Sequence, residues 1–221
     1  MENICIPSDG FRSFNDFFTR KRKKGALSFD MTPKHLCSPC DGFLSCVQIR
    51  RDSVFAIKHT KYSLQGLLES KTLAREFAGG TALIFRLTPQ HYHRYSFVDS
   101  GRCVSVKKIN GVLHCVRPIA TEQIPVYVRN SREYIVFDSD SFGRLIQMEI
   151  GALLVGKIRN NAIKGIVKRG SEKGCFEFGG STIILLFKAN AVSLNAEIIK
   201  RLKSHDETEV RAGEWIGVKS E

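Results

Sequence analysis

The chain has 221 residues, 34 Lys+Arg against 22 Asp+Glu and a formal net charge of +12. A hydrophobic share of 43 % with 25 % charged residues is ordinary for a globular protein and excludes long disorder and collagen-like structure. No apolar run approaches the ~18 residues a spanning helix needs, and Met1-Glu2-Asn3-Ile4-Cys5 has neither the basic nor the apolar part of a secretory signal.

Phe14, Phe17 and Phe18 recur at i, i+3, i+4, which predicts a short helix with aromatic anchors. The basic run Thr19-Arg-Lys-Arg-Lys-Lys24 follows. It reads either as a solvated helix end or as a patch for an anionic surface. Residues 1–35 form an amphipathic, basic N-terminal segment, and residues 36–221 a β-rich domain. Strands are expected at 43–49 and 54–58. Leu64, Leu67, Leu68, Leu73 and Phe77 then predict one helix over 63–77, stopped by Gly79-Gly80. Further strands are expected at 81–87, 102–108, 124–128, 134–137, 145–150, 153–158, 163–167 and 182–187. Asn110-Gly111, Phe142-Gly143 and Glu172-Lys-Gly174 read as turn punctuation between them. The expected fold class is mainly β with minor α, a single compact β-sandwich or barrel-like domain.

Seven cysteines without a signal peptide read as reduced thiols of a cytoplasmic protein. Cys37-x-x-Cys40 has no second ligand pair at comparable spacing, so no metal site is expected. Ser38-Pro-Cys-Asp-Gly42 is a turn carrying the carboxylate of Asp41. Asp-Gly builds turns on its own account. His91 and His93 beside Arg94 could move protons and hold a phosphate, or could lie in a surface loop. Phe178-Gly-Gly-Ser-Thr182 leads into an apolar strand. Its paired glycines suit a β-bulge, or a backbone in which the Ser181 hydroxyl reaches the Gly180 carbonyl. The basic balance points to an anionic partner: nucleic acid, acidic lipid or a phosphate-bearing substrate. No RNA-recognition signature accompanies it, so nucleic acid is not expected.

In their order these motifs resemble the pyruvoyl-dependent, prokaryotic-type phosphatidylserine decarboxylase family. The matching stretches are Phe14-Asn-Asp-Phe-Phe-Thr-Arg20, Ser38-Pro-Cys-Asp-Gly42, Tyr62-Ser-Leu64, Tyr92-His-Arg94 with Val98-Asp-Ser-Gly101, Gly151-Ala-Leu-Leu-Val-Gly156 and Phe178-Gly-Gly-Ser-Thr182. The resemblance implies self-cleavage between Gly180 and Ser181, giving a large chain of residues 1–180 and a small chain of 181–221 capped by a pyruvoyl group made from Ser181. That group would decarboxylate phosphatidylserine to phosphatidylethanolamine through a Schiff base, acting as an electron sink without metal or diffusible cofactor. It further implies Asp41 and His93 as the relay that activates Ser181, with His91 as reserve acid/base. Many family members read His-Arg-x-His; here Ser96 stands at the second histidine, which loads both histidine roles onto His93. No substrate-binding residue is implied. A catalytically impaired homologue acting as a basic membrane-surface binding protein is the alternative. The small chain carries six cations and six carboxylates, so the whole excess lies in residues 1–180. That distribution suits peripheral attachment to an anionic membrane, on the cytoplasmic face of the cell membrane and weakened by salt. Family members generally carry a longer N-terminal part than the one preceding Phe14 here. A homodimer is compatible with all of this.

Overall fold

The computed structural model describes residues 3–57, 60–112, 114, 125–152, 157–163, 165–178 and 181–220. Its frame is an open eight-stranded sheet. In order across it run β11 (Ile166–Val167), β7 (Gly101–Ile109), β8 (Arg132–Ser139), β9 (Gly143–Ile150), β13 (Ser181–Phe187), β5 (Thr81–Leu87), β2 (Gly42–Gln48) and β15 (Thr208–Val210). All its ladders are antiparallel, and β13 lies between β5 and β9 with every residue buried. A near-continuous apolar run, Ile183 to Phe187, therefore reads as a strand covered on both faces.

Alternation along β13 divides the core. Ile184 and Leu186 face one cluster with Leu64, Leu67, Tyr134 and Met148. It is covered by the hairpin β3 (Val54–Ile57) and β4 (Thr60–Ser63) and by the short helices α2 (Leu64–Leu68), α3 (Lys71–Glu76) and α4 (Val126–Arg129). Ile183, Leu185 and Phe187 face the other cluster, with Leu36, Tyr95, Phe176 and Ile216. Over it lie two three-stranded sheets. One is β10 (Ile158–Asn160), β12 (Glu172–Phe176) and β6 (Arg94–Ser96); the other is β1 (His35–Cys37), β16 (Trp215–Lys219) and β14 (Val192–Leu194). Helix α5 (Ala196–Ser204) adds Ile198 to this side.

The β-rich architecture is as expected, but the sheets stack as layers and do not close into a barrel. The single helix expected over 63–77 is two. Ser63 and Ser70 each accept a hydrogen bond from the first turn of a separate helix, and Glu69 between them takes φ +46, which no continuous helix tolerates. The strand expected at 124–128 is helical over Val126–Arg129, with residue 124 outside the described residues. Glu172-Lys-Gly174 is not a turn but the bulged start of β12. Residues 153–156, within the strand expected at 153–158, also lie outside the described residues.

Candidate active site

Strand register brings the motifs to one end of the main sheet. At one rung Phe43, Arg86 and Thr182 are neighbours, so Asp41 just before β2, residues 88–93 just after β5 and Ser181 at the head of β13 share that end. The backbone N–H of Ser96 donates to the Pro39 carbonyl at 2.9 Å, which joins the turn bearing Asp41 to the strand following His93.

Ser181 is fully buried on the same face as Ile183, paired with Leu87, and its Oγ has no hydrogen-bond partner among the described residues. Buried hydroxyls are rarely left so. Gly180, the other half of the expected cleavage site, lies outside the described residues.

His93 is also fully buried. Its Nδ1 lies 2.9 Å from the His91 carbonyl oxygen. A carbonyl only accepts, so Nδ1 carries the proton and Nε2 is left as the basic nitrogen. The His93 carbonyl accepts from the Phe176 N–H on β12 at 2.9 Å. Phe18 packs on the imidazole, ring centroids 4.0 Å apart, and meets Phe178 at 5.1 Å. Asn15 Oδ1 accepts the Phe178 N–H at 3.0 Å. Helix α1 (Phe14–Phe18) therefore covers both His93 and the segment leading into Ser181. The three expected aromatic anchors divide: Phe18 is buried against the site, while Phe14 is 59 % exposed.

His91 accepts the Thr88 N–H on Nδ1 at 2.9 Å and sets Nε2 3.7 Å from Glu209. Burial lowers its pKa, opposed by the charges of Asp41 and Glu209 and aided by Arg86. Asp41 takes a hydrogen bond from Arg22 Nη2 at 2.8 Å and one from the Ala212 N–H at 2.8 Å. Its charge acts on His91, opposing the effect of burial there.

Sequence reasoning missed Arg22, which lay inside a basic run that reads as a surface patch. Its guanidinium covers the Tyr92 ring at 4.2 Å, and its N–H donates to the Tyr92 hydroxyl at 3.1 Å. The Val98-Asp-Ser-Gly101 stretch proves structural. Asp99 is gripped by Arg169 Nε at 3.0 Å and Nη2 at 2.6 Å, and by the Ser141 N–H at 2.9 Å. Burial acts to raise its carboxyl, but Ser139, Arg169 and Ser141 outweigh it and hold it below the usual range. Cys37 and Cys40 are buried free thiols, and burial pushes Cys40 well up.

The phosphatidylserine decarboxylase family model matches residues 14–218. A phosphatidylserine decarboxylase proenzyme 2 of Clostridium acetobutylicum is 47 % identical over 207 residues, covering 94 % of this chain and 71 % of the relative. A phosphatidylserine decarboxylase proenzyme of Ruminiclostridium cellulolyticum is 47 % identical, covering 94 % and 70 % respectively. One of Clostridium perfringens is 44 % identical, covering 96 % and 73 %.

Proposed function

The chain belongs to the phosphatidylserine decarboxylase family, a family of carboxy-lyases, and from that premise we propose that it is a proenzyme that cuts itself between Gly180 and Ser181 and then converts phosphatidylserine to phosphatidylethanolamine. The observation that carries this reading is the buried Ser181 Oγ, without a partner among the described residues, at the head of the central strand. Such a hydroxyl is not tied up in a hydrogen bond and is available as a nucleophile.

In the cut, Oγ of Ser181 attacks the carbonyl carbon of Gly180 while His93 Nε2 takes its proton and passes it to the departing nitrogen, leaving an ester. Elimination across residue 181 releases the carboxyl end of the large chain. Water then turns the remaining dehydroalanine into a pyruvoyl group with loss of ammonia. The His91 carbonyl fixes the His93 tautomer, and Asp41, clamped by Arg22 and Ala212, biases the charge of the histidine pair. A pyruvoyl group at residue 181, at the head of β13, would supply an electron sink for loss of carbon dioxide. Burial of His93 keeps water from the carbon it reprotonates.

The small chain 181–221 keeps β13 between β5 and β9, β15 on β2, and β16 on β1, so the two chains stay one body after cutting. Arg20, Lys21, Lys23 and Lys24, close in sequence to exposed Phe14, suit a peripheral seat on the anionic cytoplasmic leaflet. Among the described residues no helix is long and apolar enough to cross a membrane.

Intact mass tests the reading. The purified protein should give two chains split at 180/181, the smaller blocked at its N-terminus and labelled by hydrazine. Ser181→Ala should stay a single chain of 24.9 kDa. The cut protein should release carbon dioxide from phosphatidylserine vesicles and not from free serine. An uncut wild-type chain, or a Ser181→Ala chain that still divides, overturns it.

A further inference from the structure

The two most deeply buried carboxylate and ammonium groups among the described residues are paired with each other: Glu149 at 0 % and Lys173 at 1 % exposure. Neither belongs to the stretches that match the family, and Lys173 lies in the Glu172-Lys-Gly174 stretch whose composition reads as a turn. Taking two charges out of water is costly, and a hydrophobic pair of similar volume usually serves stability as well. What an ion pair adds is a single permitted geometry.

That geometry is built with care. Glu149 lies on β9 beside Ile183 of β13, and Ser181 is two residues earlier on the same strand and face. Lys173 comes from the opposite layer. The ladder between β12 and β6 shifts register between Glu172 and Gly174, and the residue at that bulge, Lys173, is aimed inward onto Glu149 Oε2. Bulges re-aim side chains in this way. Gly174 permits it, because a Cβ there would lie 2.4 Å from the Arg159 carbonyl oxygen of β10. Asn160 donates to the same Glu149 oxygen at 3.0 Å and to Glu133 at 2.7 Å, while its own oxygen accepts the Tyr95 hydroxyl at 3.0 Å. Two strands of the upper layer thus meet on one carboxylate, and the third joins them through Tyr95 on Asn160. That layer holds His93, whose carbonyl is bonded to Phe176 three residues beyond Lys173.

We propose that Glu149 and Lys173 are positioning residues for self-cleavage: their pair bolts the layer that carries His93 to the sheet that carries Ser181 and so fixes the separation of base and nucleophile. The inference rests on the reading of Ser181 and His93 given above. Neither residue of the pair touches the reacting atoms; both act through His93.

The test follows uncut chain from cell-free synthesis by intact mass across a range of pH, with melting measured on the same variants carrying Ser181→Ala. The parent rate should rise with pH and reach a plateau once the general base is unprotonated. The double variant Glu149→Gln/Lys173→Met removes both charges together. It should melt within a few degrees of its parent yet cleave at least about ten-fold more slowly, because small misplacements of a base are expensive. Its pH plateau should give way to a rate that climbs with hydroxide. A double variant that cleaves at the parent rate with the same plateau overturns the proposal, as does a slowing that merely follows lost stability. If the double variant does not fold, Glu149→Asp decides: the shorter carboxylate keeps the charge and should slow cleavage about five-fold, and a parent rate overturns the proposal. A wild-type chain that never cuts refutes the functional reading itself, before the pair is tested.

Discussion

The two faces of the main sheet are built from the same strands and do different work. The face bearing Ile184 and Leu186 is an apolar core whose buried cation, Arg132, is spent on backbone. Its guanidinium donates to the carbonyls of Leu67 at 2.8 Å, Gly66 at 2.9 Å, Val128 at 3.0 Å and Asn130 at 3.1 Å, closing helix ends that would otherwise be unsatisfied. The opposite side of the sheet gathers Ser181, Glu149 and Lys173, with the Asp99–Arg169 pair beside it. One face spends polar groups on capping structure; the other holds them where charge and proton position matter. A strand in the middle of a sheet can serve both because its alternation sends successive residues to opposite sides.

If this division is right, variants on the two faces should separate stability from cleavage. The largest loss of stability is expected from Arg169→Met in the uncut Ser181→Ala background. It strands the Asp99 carboxylate, 2 % exposed, without its cation. Removing one partner of a buried pair costs about 3–5 kcal/mol, readable as a lowered urea midpoint at unchanged slope. A loss below about 1 kcal/mol would mean the pair is as weak as an exposed one. Next comes Leu186→Ala, a fully buried position between two ladders on the apolar face. It should cost about 2–5 kcal/mol, while chains that remain folded with Ser181 intact cleave at the parent rate. A slowed cleavage in that variant, measured well below its melting point, would erase the distinction between the faces.

The elements differ in how much of them is legible in the sequence. The apolar run on β13, the Asp-Gly turn and the aromatic spacing of α1 are local patterns, and the structure places all three at one end of the sheet. The break at Glu69 was hidden because Leu64, Leu67, Leu68 and Leu73 keep helical spacing across two helices, and serine caps look like ordinary polar residues. Lys173 was hidden for a related reason: Glu-Lys-Gly has turn composition, and only pairing with β6 shows that the lysine sits in a bulge and points inward. Arg22 was masked by its cationic neighbours. Glu149 gave one usable clue, a carboxylate between the apolar Met148 and Ile150 of a strand, though its partner 24 residues away could not be read from spacing.

The smallest expected effect is a pH dependence of stability that differs at the two places. On the apolar face the buried tyrosines titrate only in alkali; burial pushes Tyr127 up to about 12. An unfolded tyrosine ionises near 10 while the folded one holds its proton to about 12, so stability from this face falls as pH rises between those values. At the site end, burial lowers the His91 pKa below the ordinary 6.5, against the pull of Asp41 and Glu209. The unfolded chain then binds a proton the folded chain refuses, so stability is present above 6.5 and declines as pH falls through it. Protonation would also force Nδ1 to give up the Thr88 N–H. Asp30, held down to about 2 first by the Thr32 hydroxyl and then by His35, contributes stability above 3.8 that is lost as pH falls toward 2. The acid side should therefore show two limbs, a shallow one below 6.5 and another below 3.8. In uncut Ser181→Ala protein, urea midpoints measured across pH should lose the first limb in His91→Gln and keep the second. A first limb that survives His91→Gln would assign it to another histidine and leave the neutral, Thr88-bonded state of His91 without support.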